Sequence, residues 1–395
     1  MNLWLRVWCA TVLGTLVLAG CSSKTSGGGG NTNASAGTGA NGAGGKLGAA
    51  AGTGAAGTSK GGASGGAAGG GTTGGAAGAA GSAGAVMGAA GGGGGAAGAP
   101  APGMPGQIGS CAVFSADDAW NKDISKEAAD ATWTTRLHAL VGSKNIHPDY
   151  GNSGSEHYGM PINVVPQSQP LVQITFDDYP DESDPGPYPL PDPSVAKIEG
   201  GTPSACSGDC HFLVVQSGTC MLYEGYSCSY KSGWHCGNGA KWDLSKNSYG
   251  QRPKGWTSAD AAGLPITPGV LRYDEVKSGS VTHAIRFTLH CTRPNYVAPA
   301  THQAVPGSCD PNDMNAPPMG FRVRLQASYD VSGLSASAQV VARAMQRYGL
   351  ILADNGSDFY FQGEDNPGWA DTDVEPLKTI PASAFEAITP PPLEK

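Results

Sequence analysis

From about position 158 onward, apolar and polar residues exchange places at short intervals, in runs broken by Gly, Ser and Pro. The period of two predicts strands over 158–165, 171–176, 211–216, 220–226, 241–244, 270–273, 283–290, 321–327, 350–353 and 359–362. A period nearer 3.6 appears only briefly. It predicts a helix within 127–141, with Leu137 and Leu140 inward, and another over 336–348, ended by Gly349. A last short helix is expected near 382–388. Many short strands and few helices predict a mainly β fold, a β-sandwich or jelly-roll-like domain.

The pattern is absent before position 107. Residues 22–106 are almost entirely Gly, Ala, Ser and Thr, which cannot bury a core, so they are expected to form a disordered tether. Ahead of it, Val7 to Leu18 is an apolar run too short to span a bilayer as a permanent helix. It ends in Leu18-Ala19-Gly20-Cys21, which resembles the lipobox of bacterial lipoproteins. That resemblance implies cleavage before Cys21, a lipid on Cys21 as membrane partner, and export to the outer membrane and cell surface. The organisation expected is therefore a signal peptide over 1–21, a tether over 22–106 and one globular domain over 107–395. Four of the 24 basic residues (Arg6, Lys24, Lys46 and Lys60) precede the domain, and all 32 acidic residues lie within it. The domain thus holds 20 bases against 32 acids, a net charge of −12. Such a balance argues against nucleic acid as a partner. A monomer is expected.

Eight cysteines lie in the domain, and an even count in an exported protein predicts disulfides. Close spacing favours Cys206 with Cys210, Cys228 with Cys236, and Cys291 with Cys309, leaving Cys111 with Cys220. A zinc site built on Cys206, Cys210 and His211 is the competing reading. No cofactor is required by any motif, although the five carboxylates of the 177–184 loop offer oxygen ligands suited to Ca2+.

The most specified stretch is 252–276, with Gly255-Trp256-Thr257-Ser258-Ala259-Asp260-Ala261-Ala262-Gly263-Leu264-Pro265-Ile266 at its centre. It reads as a capped turn at Thr257–Asp260 feeding a strand over 270–273. With Glu182-Ser183-Asp184-Pro185-Gly186-Pro187-Tyr188-Pro189, Pro317-Pro318-Met319-Gly320 and Ala353-Asp354-Asn355-Gly356-Ser357, it resembles a group of secreted bacterial proteins. No established activity comes with that group, so the resemblance implies one extracellular domain and no site residue.

Candidate chemistry comes from residues that break the alternation. Glu224 shares a strand face with Cys220, Leu222 and Tyr226, and a carboxyl among apolar groups tends to hold its proton, as a general acid must. An ion pair with Arg272 or Arg286 would serve that position equally well. A glycosidase needs a second carboxylate nearby, for which Asp243 and Asp149 are first choices, with Asp209 and Asp354 also available. His211 shares a face with Leu213 and Val215 and is a candidate base, or a hydrogen-bonded core histidine. Arg286 and His290 on 283–290, with Arg322 and Tyr273, are candidate substrate contacts on a wet sheet face. Trp256 is a candidate ring-stacking partner, as are Trp234, Trp242 and Trp369. The function expected is a surface-anchored glycoside hydrolase acting on a polysaccharide. A non-catalytic carbohydrate-binding or adhesive domain is one alternative. A polysaccharide lyase using His290, Tyr273 and Arg286 is another.

Overall fold

The computed structural model describes residues 106–153, 156–304, 310 and 312–395, all in one compact unit. The expected signal peptide, Cys21, nearly all of the tether and Cys309 lie outside the described residues. Strand predominates, in several sheets, one of them curled into a half-barrel, with only a few short helices. This is the mainly β class that the alternation predicts.

Two sheets position the site. The larger has six strands in the order Phe385–Ala387, Arg322–Leu325, Leu350–Asn355, Ile285–Leu289, Tyr360–Gln362 and His147–Asp149. The second has four, in the order Asn238–Asp243, Met221–Tyr226, Phe212–Gln216 and Ile162–Val165. Some pairs run parallel, notably Ile285–Leu289 beside Leu350–Asn355 and Phe212–Gln216 beside Ile162–Val165. All five residues of Ile285–Leu289 are buried, as expected of an internal strand covered on both faces. Arg286 is therefore not on a wet sheet face.

Helix α1 (Ala131–Val141) starts where the Asp130 carboxylate accepts from the Trp133 N–H and stops at Gly142 in the left-handed region. Its Leu137 is buried and Leu140 packs partly against the core. Helix α2 spans Tyr273–Ser278. Helix α3 (Ala336–Arg347) is capped by Ser335, and Val341, Ala344 and Met345 are among its buried residues. Gly349 follows with φ of +71°, and a Cβ there would meet the Val323 carbonyl oxygen at 2.3 Å.

Two predicted elements differ. Residues 270–273 are not a strand: a 3-10 turn at Thr267–Gly269 precedes a single bridge from Leu271 to Gly363, and Tyr273 begins α2. Asp274 and Glu275 occupy the first turn of α2, where carboxylates are favoured. Residues 382–388 form one 3-10 turn, Ala382–Ala384, followed by the edge strand Phe385–Ala387.

Disulfides join Cys111 to Cys220, Cys206 to Cys210 and Cys228 to Cys236. Bonded thiols cannot ligate zinc, which overturns the metal reading at Cys206 and Cys210. Cys291 is buried.

Candidate active site

Glu224 does lie on an apolar face, fully buried, and burial pushes its pKa up. The carboxylate is nevertheless occupied. It accepts from the Trp242 indole N–H (3.2 Å), the Ile266 N–H (3.0 Å), the Thr267 N–H (2.7 Å) and the Thr267 hydroxyl (2.7 Å). Neither Arg272 nor Arg286 is its hydrogen-bond partner. Glu224 is a clasp for the 264–269 turn, without an open edge for substrate, which corrects its expected role as the acid.

Asp243 is not its partner either. Glu224 stands opposite Ala240 and Asp243 opposite Met221 across the same ladder. Side chains alternate along a strand, so the two carboxylates leave opposite faces. Asp243 instead accepts from the Ser245 N–H (3.0 Å) and pairs with Lys246 at the surface (2.8 Å).

Acidic and basic groups gather elsewhere, where seven stretches of the chain contribute side chains. Ser258 ties the 257–264 loop: its hydroxyl donates to the Leu264 carbonyl and accepts from the Asp260 N–H. Gly263 closes the turn at φ +69°, where a Cβ would lie 2.2 Å from the Thr301 hydroxyl. The loop thereby delivers Asp260, fully buried, to Arg286 (Nε–Oδ2 3.3 Å, Nη2–Oδ1 3.1 Å). A small apolar cluster of Met160, Leu213, Ala259, Ile266 and Val270 supports the loop from below.

Asp354, at the end of Leu350–Asn355, feels the charges of Asp260, Arg286 and Asp209. It lies deep among protein groups yet keeps partial contact with solvent. Burial, reinforced by the like charge of Asp260, pushes its pKa up to about 7. Burial also raises Asp260, opposed by Arg286. Because the guanidinium lies on Asp260, the proton the two carboxyls retain rests on Asp354.

His211 enters from the start of the Phe212–Gln216 strand. Its Nδ1 lies 2.5 Å from Glu199 Oε2, and its Nε2 lies 3.1 Å from the Ala259 carbonyl. Burial alone would lower its pKa, but Glu199, with Asp209 behind it, raises it to about 9. Glu199 is in turn held below the ordinary carboxylate range: burial would raise it, and the His211 charge outweighs that. Asp149 completes the group. Burial raises its pKa, Glu199 and Asp209 add to the rise, and the Gln362 amide contacts its Oδ2 at 3.5 Å. Tyr226, its ring 5.8 Å from that of His211, is pushed up by burial and then by Asp209 and Asp354.

Of the residues expected at a site, Asp149, His211 and Arg286 thus come together, with Asp209 and Asp354, the two spare carboxylates. Arg286 does so as the buried partner of Asp260, not as a free substrate contact. The others are engaged elsewhere. His290 Nδ1 lies 2.6 Å from Asp358, which also binds Lys144. Tyr273 packs edge-on against Trp369. Arg322 donates to the Lys122 and Tyr348 carbonyls (3.2 and 2.7 Å), and burial lowers its pKa to about 10. The trio named for a lyase is therefore not assembled. Trp234, Trp242 and Trp369 are buried, so they present no ring face. Trp256 is half-buried over the Arg252 guanidinium.

In the acidic loop, Asp184 pairs with buried Arg252 (2.8 Å) and Glu182 accepts from the Thr257 N–H (2.8 Å). Two carboxylates of the Ca2+ candidate thus staple the 252–257 segment instead. Among the described residues no group of three His, Cys, Asp or Glu is arranged to hold a metal ion.

Sequence reasoning missed Glu199, a loop residue outside any motif. Asp260 and Asp354 stood in view, inside two of the motifs that carry the resemblance, but Asp260 reads there only as a turn former and Asp354 only as a spare second carboxylate. No family model, curated protein or solved structure matches this chain.

Proposed function

We propose that the protein is a surface-anchored extracellular glycoside hydrolase acting on a polysaccharide, with Asp354 as the general acid in place of Glu224. The observation that carries this reading is the carboxyl of Asp354, within reach of solvent and still protonated near neutrality beside ionised neighbours. A general acid works best with its pKa near the working pH. Asp354 would give its proton to the glycosidic oxygen as the bond from that oxygen to the anomeric carbon breaks. Asp149, also partly open to solvent, would take a proton from the water that adds to the same carbon. Asp260 acts on the reaction only through Asp354, as the fixed charge that adds to burial in keeping it protonated, and Arg286 holds Asp260 in place.

A proton-abstracting lyase fits the site less well, because Tyr226, its tyrosine, is pushed up rather than down. The export signal and the lipid expected on Cys21 would place such an enzyme at the cell surface. The test is release of reducing ends from a polysaccharide panel by the wild type, Asp354→Asn and Asp149→Asn. Release by the wild type, reduced by about 10²- to 10⁴-fold in Asp354→Asn, supports the reading. Binding to a polysaccharide with no release from any member of the panel would leave a non-catalytic binding domain instead.

A further inference from the structure

Resting on the reading of this group of residues as a polysaccharide site, we propose that its substrate is a polycation: a polymer of amino sugars that carries free ammonium groups. Among the described residues the site holds four carboxylates, Asp149, Glu199, Asp209 and Asp260, and the protonated Asp354, against two cations, Arg286 and His211. Both cations are buried and committed. Arg286 is 2% exposed and paired with Asp260, and His211 is 3% exposed and paired with Glu199. Neither can turn to meet a uronate. The groups that solvent reaches are carboxyls: Asp209 openly, Asp149 and Asp354 in part.

A second observation points the same way. Gln362 is 5% exposed, its amide nitrogen contacts Asp149, and its Oε1 has no hydrogen-bond partner. The lining thus offers acceptors at Asp149 and Asp209, with the unmet Gln362 oxygen buried behind them. An alkylammonium is donor-only, with three N–H groups and a full positive charge, and matches such a lining in both respects. A neutral glucan would satisfy the acceptors without using the charge. A uronate would be repelled by Asp209 and Asp149.

Asp209 is also held in place without help from substrate. The Cys206–Cys210 disulfide closes its loop, and its carbonyl accepts from the Ser227 N–H (2.9 Å). It is exposed, so Asp209→Asn removes charge at the mouth without disturbing the core.

The experiment titrates the full chain with four ligands: glucosamine oligomers, their N-acetylated counterparts, neutral β-glucan oligomers and oligogalacturonate. Reducing-end release is followed in parallel. Glucosamine oligomers are expected to bind about tenfold or more tightly than the N-acetylated ones at low salt, the value of one partly desolvated ion pair. The gap is expected to narrow at high salt, and Asp209→Asn is expected to weaken glucosamine binding alone. Equal or tighter binding of the neutral or uronate oligomers overturns the proposal, as does an unchanged glucosamine affinity in Asp209→Asn. Preferential glucosamine binding without cleavage keeps the polycation specificity and removes the hydrolase reading. Cleavage of a neutral glucan that depends on Asp354, with no glucosamine preference, does the reverse.

Discussion

Replacing Asp354 by Asn removes a carboxyl that keeps its proton up to about pH 7, against 3.8 for an ordinary aspartate. A group whose pKa is raised by folding binds its proton more tightly in the folded protein than in the unfolded chain. Stability therefore falls as pH climbs through that interval, and the full loss is present above it. At about 1.4 kcal/mol for each pH unit, the interval amounts to about 4 kcal/mol, less whatever solvent screens. Asn is neutral at every pH and keeps an oxygen acceptor for the Asn355 N–H, 2.7 Å away. Asp354→Asn should thus match the wild type near pH 4 and exceed it by about 2–4 kcal/mol at pH 8.

His211 has its own dependence. Its pKa is raised from 6.5 to about 9, so its contribution is complete below 6.5 and disappears as pH rises through 9. That dependence is common to both proteins and drops out of the difference. The assay is urea unfolding of both proteins across the pH range, compared as extrapolated free energies. A variant no more stable than the wild type at pH 8, or equally stabilised at pH 4 and pH 8, refutes the assignment of the retained proton to Asp354. Higher stability with lost activity is also what a functional carboxyl predicts and a structural one does not.

Other consequences follow from the same geometry. Glu224→Gln turns an amide N–H2 or a weaker acceptor toward the Thr267 and Ile266 N–H groups, and should cost about 1–3 kcal/mol in urea unfolding. Reducing-end release per folded molecule should fall no more than the loosened 264–269 turn lowers the pKa of Asp354, and complete loss at a pH below that pKa would restore Glu224 as the acid. Cys111→Ser with Cys220→Ser opens a bridge between residues 109 apart and should remove about 5 kcal/mol by calorimetry. Opening Cys206–Cys210, with a separation of 4, should remove only about 2. Glu199→Gln leaves the His211 ring buried with its main anionic partner gone, so its pKa should fall from about 9 to 6.5 or below in an NMR titration. A ring that still titrates near 9 would mean that Asp209 alone sets it.

The strands were legible where burial is local in origin. Phe212–Gln216 and Leu350–Asn355 read as apolar runs between turn residues, and α3 carries its own start and stop in Ser335 and Gly349. Legibility failed where tertiary cover decides. Arg286 and Thr288 look solvent-facing by alternation, yet their strand is internal and both are buried. Phe385–Ala387 is a strand only because Arg322–Leu325 lies beside it. The site failed for a related reason. A buried carboxylate such as Glu224 advertises chemistry in the sequence, but what it does depends on whether donors from a distant loop reach it, and three do, beside the Trp242 indole of the neighbouring strand.

The 252–276 stretch shows how a packing element and a reactive group can depend on each other. Glu224 grips it at Ile266 and Thr267, Arg252 and Glu182 staple its first turn, and Ser258 and Gly263 fix the loop between. The outcome of these contacts is the position of one buried carboxylate, Asp260, against Arg286. Its fixed charge in turn adds to burial in holding the proton on Asp354. Gly269 belongs to the same chain of dependence: a Cβ there would lie 2.8 Å from the Arg286 Cβ and 2.5 Å from the Trp120 ring. The residues that look purely structural therefore control the protonation of a residue they do not touch. Loosening any of them should lower the pKa of Asp354, because a mobile Asp260 lets solvent screen its charge.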